Sequence, residues 1–371
     1  MQDRSADQLR KMGIDHPLLA DDDELVGVVT LLRELGVDLE AMVDTDLTLL
    51  AGPAGLRPDA TIDPGDAFDW DDGTDFAREM VLAMGFRVGE DNLLLTPAEV
   101  DAVRFFYEQR NVFGDDDTLA LLQVVAGSMT RIARSLITTL RMRVELPLFH
   151  ETGSLLQVIE AYQQSRRDHL EPFSEAMAVL LRRHLARISG TEVLWDLDAS
   201  EAATAETILV GFVDMVGFTS FTERAGQAAL VDTVRTFERR VNSIVVSNGG
   251  TLVKLIGDEA MFVASSVADG LAIAAELCCL PLAEIGPSSV RVGLAWGETV
   301  AIDGDFFGTV VNLAARAVQV ATPDAIYVTD ELRRDAPESA SFVPTGDHEL
   351  RGISAPVTLW EYLPPPAPAS G

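Results

Sequence analysis

Thiols, lysines and long apolar runs are all scarce in this 371-residue chain. Its two cysteines, Cys278 and Cys279, are adjacent within an apolar segment. Helical neighbours cannot easily bridge, so no disulfide frame is expected and the chain reads as reduced and intracellular. No His/Cys grouping has zinc spacing. The first 24 residues lack the apolar core of a secretion signal. The longest apolar stretches, 25–32 and 119–125, fall far short of a membrane span, so a cytoplasmic location without membrane insertion is expected. Positive charge is also short. Lys and Arg total 28 against 59 Asp and Glu, a formal net charge of −31. That imbalance opposes nucleic acid or an anionic membrane as partner. An anionic ligand would need local cations, either metal ions or a few placed side chains. Only Lys11 and Lys254 are lysines, so the one interior ammonium, Lys254, stands out in a chain that otherwise uses arginine.

What is present divides the chain in two. Apolar residues make up 47% and charged residues 23%, a composition that folds, and the length suits two domains. Acidic clusters mark the first 120 residues, at 21–24, 69–72 and 115–117. Leu25, Val28, Val29, Leu32 and Leu35 recur at helical spacing. Thr96-Pro97-Ala98-Glu99 has the order of an N-cap, a first-turn proline and an acidic residue, opening a helix with Val100, Val103, Phe106 and Tyr107. Further helices are expected over 117–142 and 155–164. Residues 1–168 are expected to be an all-helical domain. A connector follows over 169–206, with a helix over 171–189 entered at Pro172 and ended by Gly190. Arg182, Arg183 and Arg187 sit where the helix dipole favours cations.

From residue 207 short apolar runs read as strands, at 208–213, 251–256, 260–264, 290–295 and 325–328. Helical segments at 228–247, 267–280 and 309–320 separate several of them. The order β-α-β-β-α-β fits a ferredoxin-like sandwich with a four-stranded antiparallel core and helices on one face, giving an α+β chain overall. The domain is expected over 207–363, ahead of a proline-rich tail at 364–371.

Three elements of this half carry chemistry. The first strand ends at Asp214. A tight turn carries Gly257 and Asp258. Carboxylates at the ends of apolar strands are costly unless paired or metal-bound, and two on neighbouring strands could hold two divalent ions. Taken singly, each could simply cap a local turn. The third element runs from Gly304-Asp305 to Arg316. Asn312 and Arg316 are four apart and share a helix face, where an amide suits a ribose and a guanidinium suits phosphate. An exposed polar pair on an amphipathic helix is the plainer alternative.

The motifs Phe212-Val213-Asp214-Met215-Val216-Gly217-Phe218-Thr219, Lys254-Leu255-Ile256-Gly257-Asp258, and Asp305 with Asn312 and Arg316 together resemble the signature of class III nucleotidyl cyclases. The resemblance covers about residues 207–362. It implies that Asp214 and Asp258 hold two Mg²⁺ or Mn²⁺ ions per site. It implies too that Lys254 and Asp305 read adenine, that Asn312 orients the ribose and that Arg316 stabilises the triphosphate. ATP is then the expected substrate, because Lys donates and Asp accepts where guanine would present the inverse polarity. It further implies a head-to-tail homodimer, with the metal aspartates of one subunit facing the nucleotide-reading set of the other. The implied reaction is attack of the ribose 3′-oxygen on the α-phosphorus, releasing pyrophosphate. At the position where many relatives carry arginine after the glycine of the 290–297 strand, this chain has Glu298.

The helical first half resembles the regulatory domains of actinobacterial cyclases, which makes regulation through the connector the expectation there. His150, His169 and His184 lie in or near that segment. They allow either pH control or an ordinary surface role. Two rivals remain. Ile256-Gly257-Asp258-Glu259 echoes part of the diguanylate cyclase motif, and a guanylyl cyclase shares the fold. Alternatively, a non-catalytic regulator could bind nucleotide through the same site. All six active positions are present, which disfavours decay.

Overall fold

The computed structural model describes residues 4–56, 60–62, 74–86, 94–189, 205–280 and 289–365. The acidic cluster at 69–72, most of the linker over 190–206 and tail residues 366–371 lie outside them. The chain forms two compact units, Met1–Asp196 and Leu197–Gly371.

Among the described residues, the first unit is helical apart from one isolated bridge between Ile62 and Leu95. Its helices are α1 (Ala6–Lys11), α2 (Asp22–Glu34), α3 (Leu39–Met42), α4 (Leu47–Leu56), α5 (Thr74–Ala83), α6 (Pro97–Phe113), α7 (Asp115–Leu140), α8 (Leu146–Thr152) and α9 (Leu155–Ser189). The apolar face read from α2 is the one buried. Leu25, Val28, Val29 and Leu32 join Leu9, Ile14, Met42, Leu47, Leu155 and Ile159 in one core. Thr96 and Glu99 form the reciprocal cap that starts α6, with Thr96 Oγ1 accepting from the Glu99 amide and Glu99 accepting from the Thr96 amide.

Between α7 and α8 the residues Arg141–Glu145 form a π-helical turn, so the helical path continues past the expected end. The connector also departs from expectation. Residues 155–164 and 171–189 are not separate helices but parts of α9, and Pro172 lies inside it rather than at its start. Proline 172 cannot donate to the carbonyl of residue 168, yet both residues are exposed, so water can take that carbonyl's bond. The first turns of α9 are anchored by Leu155, Ile159 and the buried Gln163, which donates to the Ala51 carbonyl at 2.7 Å. Further on, Val179, Leu180, Leu181, Leu185 and Ile188 are exposed.

The second unit holds β1 (Ala205–Val216), α10 (Phe218–Thr222), α11 (Gln227–Ser247), β2 (Thr251–Ile256), β3 (Glu259–Ala264), α12 (Val267–Cys278), β4 (Ser289–Ile302), β5 (Asp305–Phe307), α13 (Thr309–Val320), β6 (Ile326–Thr329), α14 (Asp330–Asp335), β7 (Ser341–His348) and β8 (Val357–Leu363). The strands run β2-β3-β1-β4-β6-β8-β7, with β5 paired to β4. The expected antiparallel core, β2-β3-β1-β4, is present. Beyond it β4 pairs with β6 in parallel, so the full sheet is mixed. The chain is therefore α+β.

Helices cover both faces, not one as the β-α-β-β-α-β order suggested. Leu209, Val213 and Met215 of β1 pack with Phe237 and Val241 of α11 and Leu271 and Ala274 of α12. Ile208, Val210 and Phe212, on the opposite side of the same strand, pack with Val310, Ala314 and Val318 of α13. The expected helix at 309–320 thus forms but takes the second face, because alternate residues of β1 and β4 are apolar on both sides. Gly293 of β4 leaves room for it: an added Cβ there would lie 2.2 Å from the Val318 nitrogen.

Candidate active site

Strand alternation decides which side chains meet. In β1 the residues 208, 210 and 212 face α13, and Asp214 continues that series. Asp214 pairs across the ladder with Glu259 of β3 and with Arg291 of β4. These three charged side chains consequently form one row over three adjacent strands, on the α13 side. Asp258 lies in the two-residue turn between β2 and β3, which Gly257 closes at φ 68°. Its carbonyl accepts from the Met215 amide at 3.2 Å, which fastens the turn beside the end of β1.

Lys254 reaches the same side through an irregularity. Leu252 pairs with Phe262 and Lys254 with Met261, leaving Val253 as an extra residue, a β-bulge. Leu252 and Leu255 pack on the α11 and α12 side, while Val253 packs with the α13 cluster. The bulge keeps Lys254 on the α13 side, where its ammonium forms an ion pair with Asp305 of β5. Both side chains are about one-third exposed, Lys254 at 37% and Asp305 at 30%, so the pair remains open to an incoming ligand. Asn312 and Arg316 stand one turn apart on α13, Asn312 exposed and Arg316 half-buried. Arg316 Nη1 donates to Gln319 Oε1 at 2.9 Å.

The sheet and α13 thus bring the six expected residues together in pairs: Asp214 with Asp258, Lys254 with Asp305, and Asn312 one turn from Arg316, whose charge reaches Glu259. Two participants were not singled out in the sequence. Arg291 donates through Nε and Nη2 to Asp214 Oδ2, at 2.7 and 2.6 Å, and through Nη1 to the Gln319 carbonyl at 3.0 Å. Its signal was a lone cation inside the apolar run 290–295. Glu259 follows Asp258 directly and faces Asp214. Burial pushes its carboxyl up to about 7, with the Asp214 and Asp258 charges adding to the rise and Arg291 and Arg316 opposing it. Burial likewise raises Asp214, and the hydrogen bond and charge of Arg291 offset part of that rise.

This donor set fits a hard divalent cation. Among the described residues no group of three or more His, Cys, Asp or Glu forms a complete metal cage. Two carboxylates at neighbouring strand ends instead suit an ion that keeps water and substrate phosphate among its ligands, as magnesium does. Glu298 is exposed on β4 opposite Thr207. His150, His169 and His184 are exposed. No helix among the described residues is long and apolar enough to cross a membrane.

Residues 200–362 match the family described as the adenylate and guanylate cyclase catalytic domain. An uncharacterized protein of Mycobacterium tuberculosis is 31% identical over 368 residues, 96% of this chain and 93% of that one. An adenylate cyclase of Streptomyces coelicolor is 36% identical over 180 residues, 46% of each chain. Among solved structures, the adenylyl cyclase CyaB from P. aeruginosa aligns at 21% identity and a TM-score of 0.39, over 43% of this chain and 95% of that one. The motif residues, the strands, turn and helix that place them and the match of residues 200–362 lead to one assignment: the chain belongs to the class III adenylyl/guanylyl cyclase family and carries a nucleotide cyclase domain.

Proposed function

We propose that this protein is an adenylyl cyclase, converting ATP to cyclic AMP and pyrophosphate. The observation that carries the choice of ATP is the Lys254–Asp305 ion pair. A donor beside an acceptor matches adenine N1 and its exocyclic amine, whereas guanine offers a donor and a carbonyl at those places. Relatives over about half of this chain include adenylate cyclases of Streptomyces coelicolor and Streptomyces griseus.

Asp214 and Asp258 would hold two Mg²⁺ or Mn²⁺ ions, which would supply acidification of the ribose 3′-hydroxyl and neutralisation of charge on the triphosphate. Lys254 and Asp305 fix the base. Asn312 orients the ribose so that its 3′-oxygen faces the α-phosphorus, and Arg316 offers forked donors to the phosphate oxygens. The 3′-oxygen forms its bond to phosphorus as the bond to the bridging oxygen breaks, and pyrophosphate leaves with that electron pair.

The working unit is a homodimer in which the aspartates of one subunit face the reading set of its twin. Exposed Val300, Ile302 and Phe307 on the β4–β5 hairpin provide apolar surface of the sort that a subunit contact covers. The helical unit, ending in α9, regulates this assembly.

The test is product formation from ATP and from GTP with Mn²⁺, for wild type beside Asp214→Ala, Lys254→Glu and Arg316→Ala. Cyclic AMP from wild type alone supports the reading. Cyclic GTP-derived product or a GTP dimer product would replace it with another cyclase, and no product would leave a nucleotide-binding regulator.

A further inference from the structure

The row Glu259–Asp214–Arg291 holds more than the cyclase reading requires. Asp214 is only 15% exposed and has two carboxylates as neighbours, one across the ladder and one in the adjoining turn. Left to itself, that group would suffer both burial and like-charge repulsion. Arg291 relieves it with two of its nitrogens on a single oxygen, Oδ2. The third nitrogen, Nη1, binds the Gln319 carbonyl in the last turn of α13, where a helix end favours a cation. Gln319 in turn receives Arg316.

A divalent ion on the same oxygen would sit about 2.1 Å from it. Guanidinium nitrogens at 2.6 and 2.7 Å occupy that approach, and the two cations would repel strongly in a half-buried site. The geometry points to Arg291 as a positioning residue that stands in for the cation at Asp214 in the metal-free protein and yields it on metal binding. Arg291 thereby sets the metal affinity of the site and ties its occupancy to the turn of α13 that bears Arg316. This inference rests on Asp214 and Asp258 being metal ligands.

Two opposite effects of one substitution follow. Removing the guanidinium takes away the counter-charge that stabilises the metal-free protein and also the competitor for the metal. The test uses the full chain without nucleotide. Mn²⁺ binding is followed by the electron paramagnetic resonance signal of the free ion, and thermal unfolding is recorded with EDTA and with Mn²⁺. Arg291→Gln is expected to melt lower in EDTA, to bind Mn²⁺ about tenfold more tightly, and to gain more from added Mn²⁺ than wild type. Arg291→Lys keeps the charge without the fork and is expected between the two. It also carries the test should Arg291→Gln fail to fold.

Wild-type or weaker Mn²⁺ affinity in the folded variants would overturn the inference and leave Arg291 as a strand-to-helix strap. Asp214→Asn separates this from the underlying reading. If wild type binds Mn²⁺ and Asp214→Asn does not, the metal site stands whatever Arg291 does. If Asp214→Asn binds like wild type, the metal reading falls and this inference with it.

Discussion

Gly293 and Ala314 set the distance between the sheet and the helix that bears Asn312 and Arg316. A Cβ at Gly293 would lie 2.5 Å from the Ala314 carbonyl oxygen and 2.2 Å from the Val318 nitrogen, and both are backbone atoms that no rotamer change can move aside. Gly293→Ala is therefore expected to cost about 1–3 kcal/mol or more, by lifting α13. Thermal unfolding measures the first effect. Cyclase turnover should fall further than stability alone explains, since Arg316 moves with its helix. A variant that folds and turns over like wild type would show that α13 is not held by this contact.

Base selection should follow the Lys254–Asp305 pair. Lys254→Glu places two carboxylates together and removes the only donor of the pair, so kcat/KM for ATP is expected to fall by about 10²-fold or more. Asp305→Asn keeps an acceptor and should lose less. Initial rates over a range of ATP concentrations decide between them; equal losses would deny the two residues separate roles.

Complementation tests the shared site. Neither Asp214→Ala nor Arg316→Ala should form product alone. In an equal mixture about half the dimers are mixed, each with one intact site of two, so about a quarter of wild-type activity should return. No recovery would place the whole site within one chain.

Acid should loosen the first unit through Glu24. Its carboxylate is buried, accepts from Ser154 Oγ at 2.6 Å and the Leu156 amide at 3.1 Å, and thereby holds the start of α9 to α2. Burial alone would raise its proton affinity. Donors from Ala20, Ser154, Leu156 and Leu155 outweigh that, and the carboxyl lies below its ordinary value of 4.5. The stabilisation is thus complete above about pH 4.5 and lost as pH falls through the depressed value. Glu24→Gln should lower the melting temperature near neutral pH and flatten its decline in acid. An unchanged acid profile would remove Glu24 from the account.

Much of the candidate site could be proposed from neighbours in sequence. Asp214 and Asp258 announced themselves as carboxylates at the ends of apolar runs, Lys254 as a rare ammonium, and Asn312 with Arg316 as a helical pair. Arg291 and Glu259 gained their roles only through ladder register, which joins residues some 77 and 45 positions from Asp214. Local spacing carries no record of that pairing. The second face of the sheet was hidden for the same reason, because β1 and β4 are apolar on both sides and α13 announces no preference. Pro172 misled in the opposite way, since a long helix anchored at its first turns carries an interior proline that reads as a start.

Counted from Leu252 by plain alternation, Lys254 would fall on the α11 and α12 side; the extra residue at Val253 carries it across to the face that holds Asp305. Deleting Val253 would leave Leu252 opposite Phe262 and Lys254 opposite Met261 as a plain ladder, so the ammonium should stay beside Asp305. A slip of Lys254 itself by one ladder position, by contrast, would turn its side chain beneath α11 and α12.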